Sequence, residues 1–255
     1  RYVPKTSVRY FAIADIHGCH DEMMALYARL KKEAKLNPKK DTLVFMGDYV
    51  DRGPDSKKVV SQLIKWQKLY PHWKFLKGNH EDLMLDALVF NGARYHSYDL
   101  WYQQGGRETA NSYLPKGVTG YERAIMQPKD YINPLHLEWL HNTDMYFETD
   151  KYFFVHAGVV PEMSLEELKD NCDTDPVRGA MLWARDEFID SKYDWGKKII
   201  FGHTADGKCK YNKQIFMPIV KKNKIGIDCA VCSAFGNGRL CALELPLENF
   251  YFMSQ

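Results

Sequence analysis

Gly47-Asp48-Tyr49-Val50-Asp51-Arg52-Gly53 follows the apolar run Thr42 to Met46 and packs two carboxylates, one guanidinium and two glycines into one short turn. The apolar run reads as a buried strand, so the turn stands at its carboxyl end. Glycines at both ends allow backbone conformations that residues with a Cβ resist. The charges between them suit a cation (Asp48, Asp51) and a phosphate (Arg52). A single Gly-Asp turn is ordinarily a solvated acidic turn; its meaning changes when the arrangement recurs.

It recurs on both sides. Val8 to Ala14 reads as a strand that ends in Asp15-Ile16-His17-Gly18, and Met23, Leu26, Tyr27 and Leu30 then recur at helical spacing until Asn37-Pro38. After the central turn, Pro54 with Asp55 or Ser56 starts a helix to about Tyr70 whose buried face is Val59, Val60, Leu63 and Ile64. Trp73 to Leu76 is a third strand, ending in Gly78-Asn79-His80-Glu81. Three strand-turn-helix units in succession predict a mixed α/β sheet whose polar turns gather at one edge.

From Asp82 to about Met145 the spacing becomes helical and aromatic-rich, which predicts a helical insert beside the site. Within it, Gly105-Gly106 with Trp101 and Tyr102 reads as a turn among core aromatics, with a ligand loop as the alternative, and Asn133-Pro134 as a helix start. Tyr152 to Val155 then ends in His156-Ala157-Gly158, and Lys198 to Phe201 ends in Gly202-His203. Ser164 and Glu167 form a capping box between them. Gln214 to Leu245 reads as short strands of a second sheet. The expected organisation is one domain over residues 1–255 with its insert at about 82–145.

Thirty-five Lys and Arg against 33 Asp and Glu leave a net charge of +2, so no global field selects nucleic acid or a membrane. Lys221, Lys222 and Lys224 read as a solvated turn. The apolar runs fall short of the roughly 20 residues of a membrane span, and Arg1 to Tyr10 has no apolar signal core. Six scattered cysteines in a chain this long read as reduced thiols, so the expected location is cytoplasmic. Cys229 and Cys232 form a lone C-x-x-C and read as ordinary residues at a strand end, with a zinc or redox role as the alternative.

Five strands thus end in turns that bear hard-metal ligands: Asp15 and His17, Asp48, Asn79, His156, and His203. In open α/β sheets such side chains converge outside the strand carboxyl ends. Carboxylates, imidazoles and an amide without thiolate suit Mn²⁺, iron or zinc. Six ligands in two groups imply two divalent ions, with Asp48 as the bridge between them and a shared hydroxide as the nucleophile. Arg52 and Arg185 would clamp the phosphoryl oxygens. His80 would protonate the leaving group, oriented by Asp51. No nucleotide-cradling glycine loop supports kinase or NAD chemistry.

With these motifs the chain resembles the PPP family of metal-dependent serine/threonine protein phosphatases, calcineurin-like metallophosphoesterases, in their bacterial and phage form. The resemblance implies a β-sandwich flanked by helices with the site at one edge. It assigns one metal to Asp15, His17 and Asp48, and the other to Asp48, Asn79, His156 and His203. It gives His80 and Asp51 the acid role and Arg52 and Arg185 the phosphate. The substrate it implies is a phosphoserine or phosphothreonine protein. Two departures stand out: Lys77 replaces the arginine usual before Gly-Asn-His-Glu, and Cys232-Ser233-Ala234-Phe235 replaces the toxin-binding loop of the eukaryotic enzymes. Symmetrical dinucleoside tetraphosphate hydrolases are the alternative. The presence of Asp51 favours the protein phosphatase, because an alkoxide leaving group needs more acid help than a nucleotide phosphate. A phosphoprotein-binding pseudophosphatase is a third reading, opposed by the filled ligand positions.

Overall fold

The computed structural model describes residues 8–90, 92, 98–118, 122, 125–210, 213–233 and 237–254. Ala234, Phe235 and Gly236 lie outside them, so the structure does not describe the substituted loop as a whole. The first half of the chain runs β1 (Tyr10–Ile13), α1 (His20–Glu33), β2 (Thr42–Phe45), α2 (Ser56–Leu69), β3 (Lys74–Phe75) and α3 (Asn79–Leu88). Strands β1, β2 and β3 pair in parallel, which places all three following turns on the same edge. Of the apolar stripes predicted from spacing, Met23, Leu26 and Leu30 on α1 and Val59, Val60 and Leu63 on α2 are buried, while Tyr27 and Ile64 are half-buried.

Helices then follow: α4 (Tyr98–Trp101), a wide π turn over Tyr102–Gly106, α5 (Arg107–Tyr113), α6 (Pro128–Tyr131) and α7 (Pro134–His141). The Asn133 side chain caps α7 by accepting from the Leu135 N–H. Next come β4 (Tyr146–Glu148), β5 (Tyr152–Val155), α8 (Leu165–Asp170), α9 (Val177–Trp183), α10 (Asp186–Asp190) and β6 (Lys198–Phe201). Ser164 and Glu167 form the capping box of α8. The chain closes with β7 (Asp206–Lys210), β8 (Lys213–Met217), β9 (Ile219–Val220), β10 (Lys224–Gly226), β11 (Arg239–Leu245) and β12 (Asn249–Ser254).

Two five-stranded sheets result, ordered β12-β11-β1-β2-β3 and β4-β5-β6-β10-β9, beside a β7-β8 ribbon. The tail therefore does not build the second sheet alone. β5 and β6 form its centre, β10 joins them in parallel, and β11 pairs antiparallel with β1 in the first sheet. Strand propensity fixed the state of the tail, but pairing partners depend on what each face can bury, and spacing does not carry that.

The second sheet shows the alternation that makes a sandwich. Phe154, Ile200 and Ile225 share a core with Phe11, Val44 and Phe45 of the first sheet. Phe153, Val155, Ile199 and Phe201 turn the other way, onto Leu165, Leu168, Val177 and Phe188. The fold is thus a mixed α/β sandwich of two sheets with helices outside, as expected. Among the described residues no helix is long and apolar enough to cross a membrane.

Lys224 departs from the reading of a solvated lysine turn. It is fully buried, its Nζ donating to the Phe188 carbonyl at 2.6 Å and the Ser191 carbonyl at 2.8 Å, under the rings of Phe188 and Trp195. Burial lowers its pKa to about 8. Lys221 is bonded to Asp190 and the Ile189 carbonyl. Lys221 and Lys224 thus tie the start of β10 to α10, and Lys222 alone of the three is exposed.

Candidate active site

The turns meet where the two sheets end together. His17 N–H donates to the Asp48 carbonyl at 2.8 Å, tying the β1 turn to the β2 turn, and Gly202 N–H donates to the His156 carbonyl at 2.7 Å, tying β6 to β5. The sheets are joined by Asp15, whose carboxylate accepts the His203 N–H at 2.9 Å. Five of these side chains sit on left-handed backbone: His17, Asp48, Asp51, Arg52 and His203 all have positive φ. Such conformations are unfavourable for residues with a Cβ, and they concentrate where geometry rather than stability is selected.

Asp48 is the centre. His17 Nε2 lies 3.4 Å from its Oδ2, and His156 Nε2 lies 3.5 Å from its Oδ1. Ligand atoms gather within 4.8 Å of one another in two clusters that share Asp48: His17, Asp48 and His80, and Asp48, His156 and His203. The Asn79 Oδ1 belongs with the second, at 3.0 Å from His156 Nε2 and 2.9 Å from His203 Nδ1. His80 stands with His17 and Asp48 in the first cluster, while the two oxygens of Asp15 accept the His203 amide N–H.

The donor set fits divalent cations. His17 Nδ1 donates to the Val50 carbonyl and His156 Nδ1 to the Met46 carbonyl, which leaves both Nε2 lone pairs on the Asp48 side. Burial lowers the pKa of His17, His156 and His203, the last to about 2, so these imidazoles are neutral, the form a cation can use. Burial acts to raise the Asp48 pKa, but attraction to protonated imidazole outweighs it and lowers it, and His80 is the ring whose own pKa is raised. Burial, with Asp228 and Asp48 nearby, pushes Asp15 well above the usual carboxylate range. Buried acids crowded in this way are what a bound cation relieves.

His80 differs from the other three. Burial acts to lower its pKa, yet Asp48 and Asp51 together raise it. Its Nδ1 faces Asp51 Oδ2 at 2.8 Å. Asp51 is fixed in turn through Oδ1, which accepts from Trp101 Nε1 at 3.0 Å and Thr109 Oγ1 at 2.7 Å. Arg52 rests on the ring edges, Nη1 at 2.8 Å from His17 Nε2 and Nη2 at 3.0 Å from His80 Nε2. Arg185 is exposed and less engaged, with Nη1 3.5 Å from Thr204 Oγ1. Lys77 Nζ donates to the His141 carbonyl at 2.9 Å.

Sequence reasoning missed four supports. Glu81 is fully buried and accepts the N–H groups of Gly78, Asp48 and Tyr49 at 2.8–2.9 Å, so it shapes the central turn. Its place in Gly-Asn-His-Glu was the available signal. Trp101 was legible only as a flank of the Gly105-Gly106 segment, and Thr109 carried no signal, being an ordinary helix residue by spacing. Asp228 follows β10, and its buried carboxylate feels Arg52, Asp48 and Arg185.

Gly105-Gly106 is more than a turn among aromatics. The Gly105 carbonyl accepts the Arg52 N–H at 3.1 Å, and a Cβ at Gly105 would meet Arg52 N at 2.7 Å on a backbone with φ +107°. Gly105→Ala is therefore expected to displace Arg52 and weaken inhibition by inorganic phosphate about tenfold while leaving metal content intact. An unchanged phosphate inhibition constant would remove this role.

The family model described as calcineurin-like phosphoesterase matches residues 8–232. The chain is 29% identical over 157 residues to the symmetrical bis(5'-nucleosyl)-tetraphosphatase of Nitrosomonas europaea, covering 62% of this chain and 47% of that protein. It thus spans about half the length of such relatives. It is 27% identical over 256 residues to the asymmetrical bis(5'-nucleosyl)-tetraphosphatase PrpE of Oceanobacillus iheyensis, covering 93% of this chain and 89% of that one. A protein serine/threonine phosphatase from Saccharomyces cerevisiae shares the fold at TM-score 0.58 and 15% identity, over 98% of this chain and 81% of that one. The match runs from the strand before Asp15 through every turn that meets at Asp48 to the loop after Asp228, and the chain belongs to the calcineurin-like phosphoesterase family.

Proposed function

We propose that the chain is a two-metal phosphohydrolase that cleaves dinucleoside tetraphosphates. The observation that carries the hydrolase reading is Asp48 with an imidazole lone pair near each of its carboxylate oxygens, at 3.4 and 3.5 Å. Asp15, His17, Asp48, Asn79, His156 and His203 would hold two divalent ions. When bound, these supply Lewis-acid polarisation of the phosphoryl group and activation of the attacking water.

The chain's own residues do the rest. Arg52 has two alternatives, the ring nitrogens it rests on and an incoming phosphate. An anionic substrate draws the guanidinium away and frees His80 Nε2, which can then protonate a leaving oxygen that needs it, as an alkoxide does and a nucleotide phosphate does not. Asp51 keeps the ring oriented, and the exposed Arg185, whose charge acts on His156 and His203, would meet the same anion.

Two findings support the dinucleotide over the phosphoprotein that Asp51 favours by sequence. The first is the match to PrpE along nearly the whole chain. The second is a cavity of about 510 Å³ lined by Tyr98, Tyr102, Tyr131, Arg107, Asn111 and Gln127, within the size range of small-molecule sites. No metal-ligand candidate lines it. It lies on α4, the π turn and α5, the elements that supply Trp101, Gly105 and Thr109 to Asp51 and Arg52. Tyrosine rings with amide and guanidinium donors suit a nucleoside. Tyr102→Ala is expected to raise KM for diadenosine tetraphosphate about tenfold with little change on p-nitrophenyl phosphate. Equal losses on both would mean the effect passes through Trp101, whose ring it touches.

The phosphoprotein reading keeps one specific support, the completed His80–Asp51 pair. The deciding test is to strip the metal, restore Mn²⁺, and compare kcat/KM on diadenosine tetraphosphate and a phosphothreonine peptide. Preference for the dinucleotide is expected; preference for the peptide would overturn the substrate assignment.

A further inference from the structure

The C-x-x-C of the sequence is not a pair in space. Cys241 is hydrogen-bonded to Cys229 within the core, whereas Cys232 Sγ lies 2.7 Å from the Sγ of Cys19, 213 residues away. Cys19 is buried and stands immediately before α1; Cys232 is half-buried and reachable from solvent. Both thiols are directed at one carbonyl, that of His17, at 3.5 and 3.2 Å. Cys232 Sγ also lies against Gly53 at the end of the central turn, where an added Cβ would come within 3.1 Å of it.

We infer that Cys19 and Cys232 are a redox modification site, a dithiol that peroxide closes to a disulfide and a thiol reductant reopens. The 2.7 Å separation needs only a small approach to reach a bond of about 2.0 Å, so closure requires no rearrangement of the fold. The accessible Cys232 thiolate attacks one oxygen of hydrogen peroxide, breaking the O–O bond, releasing hydroxide and forming a sulfenic acid. Cys19 then attacks that sulfur; the S–S bond forms, the S–O bond breaks, and water leaves with the Cys19 proton. Two thiols have given up two electrons, and one peroxide has become two waters. The new bond ties the start of α1 to the segment after β10, beside both the His17 turn and Gly53. Cytosolic disulfides that do form are of this transient, sensing kind.

The test treats the intact reduced protein with one equivalent of hydrogen peroxide, alkylates the remaining thiols, and maps peptides by mass spectrometry. One cross-linked peptide joining Cys19 to Cys232, absent after dithiothreitol, is expected. Cys19→Ser should leave Cys232 as a sulfenic acid trapped by dimedone. A cross-link confined to Cys229 and Cys241 would overturn the inference. So would over-oxidation of Cys232 in the unsubstituted protein with Cys19 still alkylated.

Discussion

Asp48→Asn is expected to abolish stable binding of both cations and to lower turnover of any phosphate ester about 10³-fold or more, read as metal content by elemental analysis beside kcat. Two cations held close together repel, and the shared anion is what offsets that repulsion. Removing a single preorganised charge-stabilising group already costs about 10²–10³ in rate, and here the whole nucleophile-activating centre goes with it. The substitution is a clean probe of charge. The amide keeps an Oδ1 to accept the His80 N–H, which the carboxylate now accepts at 3.0 Å, so the turn should survive. Two equivalents of metal retained by the variant would remove Asp48 from the bridging position.

His80→Asn is expected to divide substrates by their leaving groups. On alkyl phosphates, whose alkoxide must be protonated, kcat should fall about 10²–10⁴-fold. On p-nitrophenyl phosphate and diadenosine tetraphosphate the loss should stay below about tenfold, since phenolate and phosphate leave without a proton. The structure offers a competing role, because Arg52 Nη2 rests on His80 Nε2 at 3.0 Å. An equal loss on every substrate would therefore identify His80 as a support for Arg52 and not as the acid. A large loss on diadenosine tetraphosphate alone would contradict both.

Much of this was legible in the chain. Strand-turn-helix order places polar turns on one edge whatever the remaining packing, because parallel strands share a direction. Spacing alone therefore found the turns carrying Asp15, His17, Asp48, Asn79, His156 and His203, and the capping boxes and buried stripes are local facts of three or four residues. Asp51 beside His80 was legible from chemistry, since an acid histidine needs a carboxylate to orient it, and their turns follow neighbouring parallel strands.

What the sequence by itself determined is the set of chemical groups and the edge on which they stand. Only the tertiary structure decided which neighbours hold them. Trp101 and Thr109 reach Asp51 from 50 and 58 residues away, Gly105 seats Arg52, and Cys232 leaves its sequence neighbour Cys229 for Cys19. Tertiary structure also decided that β11 joins β1, that Lys224 is buried under two aromatic rings, and that Asp15 turns to the His203 amide. The physical reason is range. Periodicity, capping and turn chemistry act over a few residues and are written in adjacent letters. The choice of a buried partner depends on which surfaces meet when two sheets close on one core, a property of the whole chain.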